Sequence, residues 1–119
     1  MAERTFAEIE AGGKGPSMVA GTEEEAFTRF ISTHGPYKVE TLYFQQAAAN
    51  DFKAEDTFKS RLAHPLFCTV VTATDIDGTA LDVSADLTSD ESNANFKQIT
   101  VRDAEDVNGM GLVIVVYGF

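Results

Sequence analysis

The run Gly111-Leu112-Val113-Ile114-Val115-Val116-Tyr117-Gly118-Phe119 constrains the chain more than any other stretch. Branched aliphatic side chains in unbroken succession favour an extended strand, where they pack on a pleated surface. Apolarity over that length predicts cover on both faces, so the strand lies at the centre of a sheet or against a partner surface. Left open, it would be a template for aggregation. A chain of 119 residues has room for one core, so the upstream sequence must supply this strand's neighbours.

Four segments answer that requirement. Tyr37 to Gln46 alternates, with Val39, Thr41 and Tyr43 on one side and Leu42 and Phe44 on the other. Leu66 to Thr74 reads as a buried strand, and Asp75-Ile76-Asp77-Gly78 as a turn whose glycine takes a positive φ. Thr79 to Leu87 sets Leu81, Val83, Ala85 and Leu87 against Asp82, Ser84 and Asp86, the pattern of a strand with one wet face. Asn95 to Arg102 completes the set, and the phase slip between Phe96 and Ile99 predicts a bulge near Lys97.

Helical signals lie elsewhere. Thr22 and Glu25 form a capping box, Ala26, Phe27, Phe30 and Ile31 share a helical face, and His34-Gly35-Pro36 supplies a stop, predicting a helix over 22–34. Ala54, Phe58 and Leu62 recur at helical spacing and suggest a short helix or turn over 51–62. Glycine at 12, 13, 15 and 21 makes residues 1–21 an extended arm, with Phe6, Ile9 and Met18 as the apolar anchors that would bind a partner. The expected class is mainly β with one short N-terminal helix, an antiparallel β-sandwich or partly open barrel preceded by an extended arm. The arm occupies 1–21, and a single β-rich domain with its helix at 22–34 occupies 22–119.

A net charge of −10 disfavours nucleic acid and anionic lipid as partners. The acids gather downstream, twelve Asp and Glu against five Lys and Arg over residues 51–119, so the β half carries the acidic surface. No stretch approaches the ~20 apolar residues of a membrane span, and the first residues lack the basic-then-apolar order of a secretory signal. A cytoplasmic origin is expected.

Chemistry finds little support. Asp75-Ile76-Asp77-Gly78 resembles a calcium loop, but with Gly78 as sixth residue Ala73 and Ser84 stand where carboxylates are needed. A hairpin turn with solvated aspartates is the simpler reading. His34 and His64 lack metal-ligand spacing. Cys68, the lone cysteine, lies in an apolar run that favours a buried, reduced thiol over a dyad with His64. Gly12-Gly13-Lys14-Gly15 lacks the spacing of a phosphate loop. Tyr37, Tyr43, Phe44 and Tyr117 could form an aromatic platform for sugar, though core packing is the commoner fate of such residues. No catalytic residue, cofactor or metal is expected.

The passage Tyr37-Lys38-Val39-Glu40-Thr41-Leu42-Tyr43-Phe44 and the meander from Thr79 to Phe119, following an arm, resemble the plan of small structural proteins of tailed-bacteriophage virions, the head-decoration or capsid-accessory type. The resemblance implies a non-enzymatic, multi-copy protein assembled in the host cytoplasm and resident in the virion. Its partners would be the major capsid protein or other virion subunits, together with further copies of itself. Two alternatives stand beside it: a small phage tail component, and a carbohydrate- or ligand-binding β module using loops 88–94 and 103–110 with possible calcium.

Overall fold

The structure, a computed structural model, describes residues 2–11, 26–46, 50–52, 57–75, 77–102 and 111–119. In chain order these form β1 (Ala2–Arg4), α1 (Phe6–Ala11), β2 (Ala26–His34), β3 (Tyr37–Gln45), β4 (Asn50–Phe52), β5 (Thr57–Lys59), β6 (Pro65–Thr74), β7 (Ser84–Leu87), β8 (Gln98–Arg102) and β9 (Gly111–Gly118). The class is mainly β with one short helix. Two antiparallel sheets, ordered β2-β3-β9-β6 and β5-β8-β7, pack as a sandwich, and β1 and β4 form a short parallel pair beside them.

The apolar run takes a central place. β9 pairs along its length with β3, from Lys38–Gly118 to Gln45–Gly111, and on its other side with β6, from Pro65–Gly118 to Thr74–Gly111. Leu112, Ile114 and Val116 point inward with Leu42 and Phe44 of β3 and Ala73 of β6, and all are buried. Facing them are Phe58, Ile99 and Val101 of the second sheet. The pleat explains this sorting, since successive side chains of a strand point to opposite faces.

The sequence places a helix in the right part of the chain but at the wrong residues. Residues 26–34 form β2, and 22–25 lie outside the described residues. Aromatic and β-branched side chains dominate Phe27 to Thr33, and pairing with β3 runs the full length of the strand, from Ala26–Gln45 to His34–Tyr37. The expected helix stop is instead a two-residue hairpin loop. Gly35 takes φ +61, the conformation such loops need and glycine tolerates.

The only helix among the described residues falls within the expected arm. Thr5-Phe6-Ala7-Glu8 is itself a capping box, in which the Glu8 N–H donates to Thr5 Oγ1 at 3.1 Å. α1 then turns Phe6 and Ile9 into the core. The Phe6 ring lies 4.8 Å from Phe44 and 5.4 Å from Phe58, centroid to centroid. These two anchors therefore close the chain's own sandwich and are not free to reach a neighbour, a correction to their expected role. Residues 12–21, Met18 included, lie outside the described residues.

Other boundaries shift for local reasons. β5 replaces the helix or turn expected across 51–62, because Phe58 faces the core and pairs with Ile99; residues 53–56 lie outside the described residues. Of the strand expected from Thr79, only Ser84–Leu87 is regular, preceded by a single bridge from Ala80 to Thr74. At Lys97 a turn ends in a left-handed residue, φ 76, without a shift in strand pairing. The register irregularities fall in β6, between Pro65 and Phe67 and between Val70 and Thr72.

At the other end of β9, the N–H of Phe119 donates to His64 O at 3.1 Å and the His64 N–H to Phe119 O at 2.9 Å. Gly118 permits this closeness, since a Cβ there would lie 2.8 Å from Pro65 Cα and closer still to His64 O, both backbone atoms that cannot swing aside. Gly118→Ala should lower unfolding free energy by ~1–3 kcal/mol, the usual range for overpacking. Chemical denaturation checks this, and Gly111→Ala, whose nearest neighbour is the flexible Gln45 side chain at 3.4 Å, should be milder.

Candidate interaction surface

Two groupings of side chains merit chemical scrutiny, one within the sandwich and one outside it. Inside, Glu40 sits at an inward position of β3 and is fully buried. Its carboxylate accepts from Arg29 Nη1 at 2.8 Å, Ser60 Oγ at 2.8 Å and the Arg61 N–H at 3.0 Å. Arg29 also pairs with Glu10 of α1 at 2.9 Å, which Arg61 reaches at 3.2 Å. Burial pulls the Arg29 guanidinium below its ordinary value, and the carboxylates of Glu40 and Glu10 oppose that shift.

Catalysis needs an acid or base able to exchange a proton with a substrate. Glu40 offers no such group, since both its oxygens are held by donors of its own chain. The network fastens α1, β2, β3 and the segment after β5 to one another. Cutting one member of such a buried pair leaves an uncompensated charge, so its role is structural.

Outside, the four-stranded sheet presents a face with no counterpart among the described residues. Parity and register place Thr28, Phe30, Ser32 and His34 of β2 there, beside Tyr37, Val39, Thr41 and Tyr43 of β3, Val113, Val115 and Tyr117 of β9, and Phe67, Thr69 and Thr72 of β6. None is Asp, Glu, Lys or Arg, although the chain carries −10. Phe30 is 64% exposed, Phe67 57%, Tyr37 50% and Phe119 42%. With ~200 Å² per aromatic side chain, these rings alone expose about 400 Å², as large as the largest apolar patch of a typical monomer. Leu66 and Val71, at the two irregularities of β6, add to it. One half of the sequence expectation for the last strand is thus met by the inner sheet packing, and among the described residues nothing packs over its outer face.

The rings at one end of the face pair off. Phe67 stacks on Tyr117, its registered neighbour, at 4.9 Å, and Tyr37 on Phe119 at 5.5 Å. Open hollows lie between them, lined by Tyr37, Leu66, Phe67 and Tyr117 and by His34, Tyr37, Val39 and Tyr117. Of the residues expected as a sugar platform, Tyr37 and Tyr117 sit in these stacked pairs. Phe44, a member of the expected platform, is in the core.

The remaining candidates disperse. Asp75 Oδ1 accepts the N–H groups of Asp77 and Thr79, both at 2.9 Å, and closes its own turn around Gly78, φ +83. Asp90 is likewise engaged by the N–H and hydroxyl of Ser92, which hold its carboxyl below the usual range. Loop 103–110 lies outside the described residues. Among the described residues no three His, Cys, Asp or Glu side chains converge as metal ligands, and no helix is long and apolar enough to cross a membrane. The His64 ring pairs with Glu91, while Cys68 points inward and donates to Ala85 O at 3.6 Å.

Sequence reasoning missed Phe30, Phe67, Val71 and Phe119 as surface residues. Period-two spacing alone could have exposed the first, had 26–34 been read as a strand. Comparison with protein-family models, with curated proteins and with solved structures finds no match to this chain.

Burial, and then Asp86, push the Cys68 thiol from 9.0 up to about 11. Alkylation at pH 8 should run ~100-fold slower than for a free thiol, in proportion to the thiolate fraction. Because the folded value is the higher one, the stability this thiol lends is whole below pH 9.0 and declines as pH rises toward about 11. Timed alkylation of the native protein checks the first effect; fast labelling at pH 8 would contradict it.

Proposed function

We propose that the protein is a non-enzymatic structural protein of a virion, of the head-decoration type, and that it docks on the major capsid protein or other shell subunits through the outer face of its four-stranded sheet. The observation that supports this reading is the charge-free apolar face of β2, β3, β9 and β6 on a molecule of net charge −10. Keeping every acid off that face preserves solubility and leaves a surface whose burial is favourable. Covering about 400 Å² of apolar area is worth roughly 10 kcal/mol gross, much of it offset by the loss of freedom on docking. Repetition across a shell of many copies compensates for a modest single contact through effective concentration.

The role first expected of an arm passes in part to the sheet. Phe6 and Ile9 are engaged in the core, whereas Phe67 and Tyr117 lie on a rigid scaffold and meet a partner without ordering cost. Aromatic anchors on rigid elements are the residues that dominate binding energy at interfaces. The fully engaged Glu40 and the raised Cys68 thiol fit a protein without a reaction to perform.

Co-sedimentation with virion shells that lack the protein tests this proposal. Wild type should pellet with the shells, and Phe67→Glu should bind at least ~10-fold more weakly with its circular dichroism unchanged, since loss of the stacking on Tyr117 costs only about 1 kcal/mol. Full-affinity binding by that variant, or no binding by the wild type, would overturn it.

A further inference from the structure

We propose that the free edge of β2 is a self-association surface, on which β2 of a second copy pairs antiparallel about a two-fold axis at Phe30. The inference goes beyond the docking role, because it concerns the edge of the sheet where that role concerns its face.

The two edges of the four-stranded sheet are built differently. β6 starts at Pro65, shifts register twice, and near its end is bridged by Ala80 and by the Leu81 N–H donating to Ala73 O at 2.8 Å. Proline, bulges and covering segments are the devices by which proteins blunt an edge. Among the described residues β2 shows none of these three, and the one edge-guarding feature it carries is the inward-pointing charge of Arg29. Its nine residues contain no proline or lysine, its register with β3 runs unbroken, and among the described residues it bonds to β3 alone.

Hairpin geometry fixes which backbone groups the edge offers. A two-residue loop makes its flanking pair, His34 and Tyr37, a hydrogen-bonded one. In unbroken alternation Ala26, Thr28, Phe30, Ser32 and His34 then bond to β3, and Phe27, Arg29, Ile31 and Thr33 turn their N–H and C=O outward. An antiparallel copy centred on Phe30 sets Arg29 opposite Ile31 of the second copy and Phe27 opposite Thr33, and the reverse. All four outward residues become hydrogen-bonded pairs, and none of their backbone groups is left over. One N–H and one C=O from each, in both copies, gives eight bonds, within the ~10 ± 5 of an ordinary interface.

Charge singles out a second copy as the occupant. The chain has 19 Asp and Glu, and none lies in β2. In this register Arg29 faces Ile31, His34 faces Ala26 and Thr28 faces Ser32, so no like charges stand directly opposite; the two Arg29 residues are diagonal neighbours on one face. The Arg29 side chain is already balanced by Glu40 and Glu10 of its own copy. Phe30 falls on a non-hydrogen-bonded pair, where side chains approach most closely, and the two exposed rings meet at the axis. The product is an eight-stranded sheet with a continuous outer face.

Sedimentation equilibrium of the full chain from micromolar to millimolar concentration tests this, with amide exchange as a second readout. The expected result is a monomer–dimer equilibrium in which the amides of Phe27, Arg29, Ile31 and Thr33 gain protection as concentration rises. Ile31 is 43% exposed, and Ile31→Lys, which sets an ammonium opposite Arg29 of the second copy, should weaken the dimer at least ~10-fold with the circular dichroism unchanged. Val71→Lys, away from β2, should leave association as it was. A monomer at every concentration, equal protection of those amides in dilute and concentrated samples, or a dimer indifferent to Ile31→Lys would each overturn the proposal. Loss of shell binding by Phe67→Glu reports on the face alone, so the two proposals fail separately.

Discussion

Two-sided backbone pairing of β9, with β3 on one flank and β6 on the other, is the constraint on which the rest of the architecture depends. It commits Leu112, Ile114 and Val116 to one face and Val113, Val115 and Tyr117 to the other, because neighbouring strands in register leave no freedom to slip by one residue. The second sheet and α1 then close the first face. Phe6, Phe44 and Phe58, each ring within 5.4 Å of the other two, form the plug where helix and both sheets meet.

The Glu40 network ties the same elements by charge. A carboxylate at an inward position would be costly in an apolar core unless its oxygens are held. Arg29 comes from the adjacent strand, and Ser60 and Arg61 come from the segment after β5. Glu10 then reaches Arg29 from α1, so helix and sheet share one cation. The polar interior is thereby occupied with holding the sandwich together.

Much of this was legible in the residues. Alternation in Tyr37 to Phe44 gave the correct faces of β3, and the composition of 111–118 gave a strand with neighbours on both sides, since a period of two is a local signal. The helix was misplaced because Phe27, Phe30 and Ile31 fall at helical spacing, whereas in β2 Phe30 turns to the opposite face from Phe27 and Ile31. Only pairing with β3 decides between helix and strand, and pairing is not local. The capping box at Thr5 to Glu8 was as visible as that at Thr22 to Glu25, and the glycines that follow it hid its importance. The outer face was half legible: continuous apolarity announced that cover is required, but which strand carries Phe67 opposite Tyr117 is a matter of register. The ion network was not legible, because it joins residues as far apart in sequence as Glu10 and Arg61.

One-sided closure of β9 is the claim that joins the fold to its use. Methyl NMR with a soluble paramagnetic agent reads it directly, residue by residue along the strand. The account predicts strong relaxation of the Val113 and Val115 methyls and little effect on Leu112, Ile114 and Val116. Equal shielding of both sets in the isolated protein would contradict it.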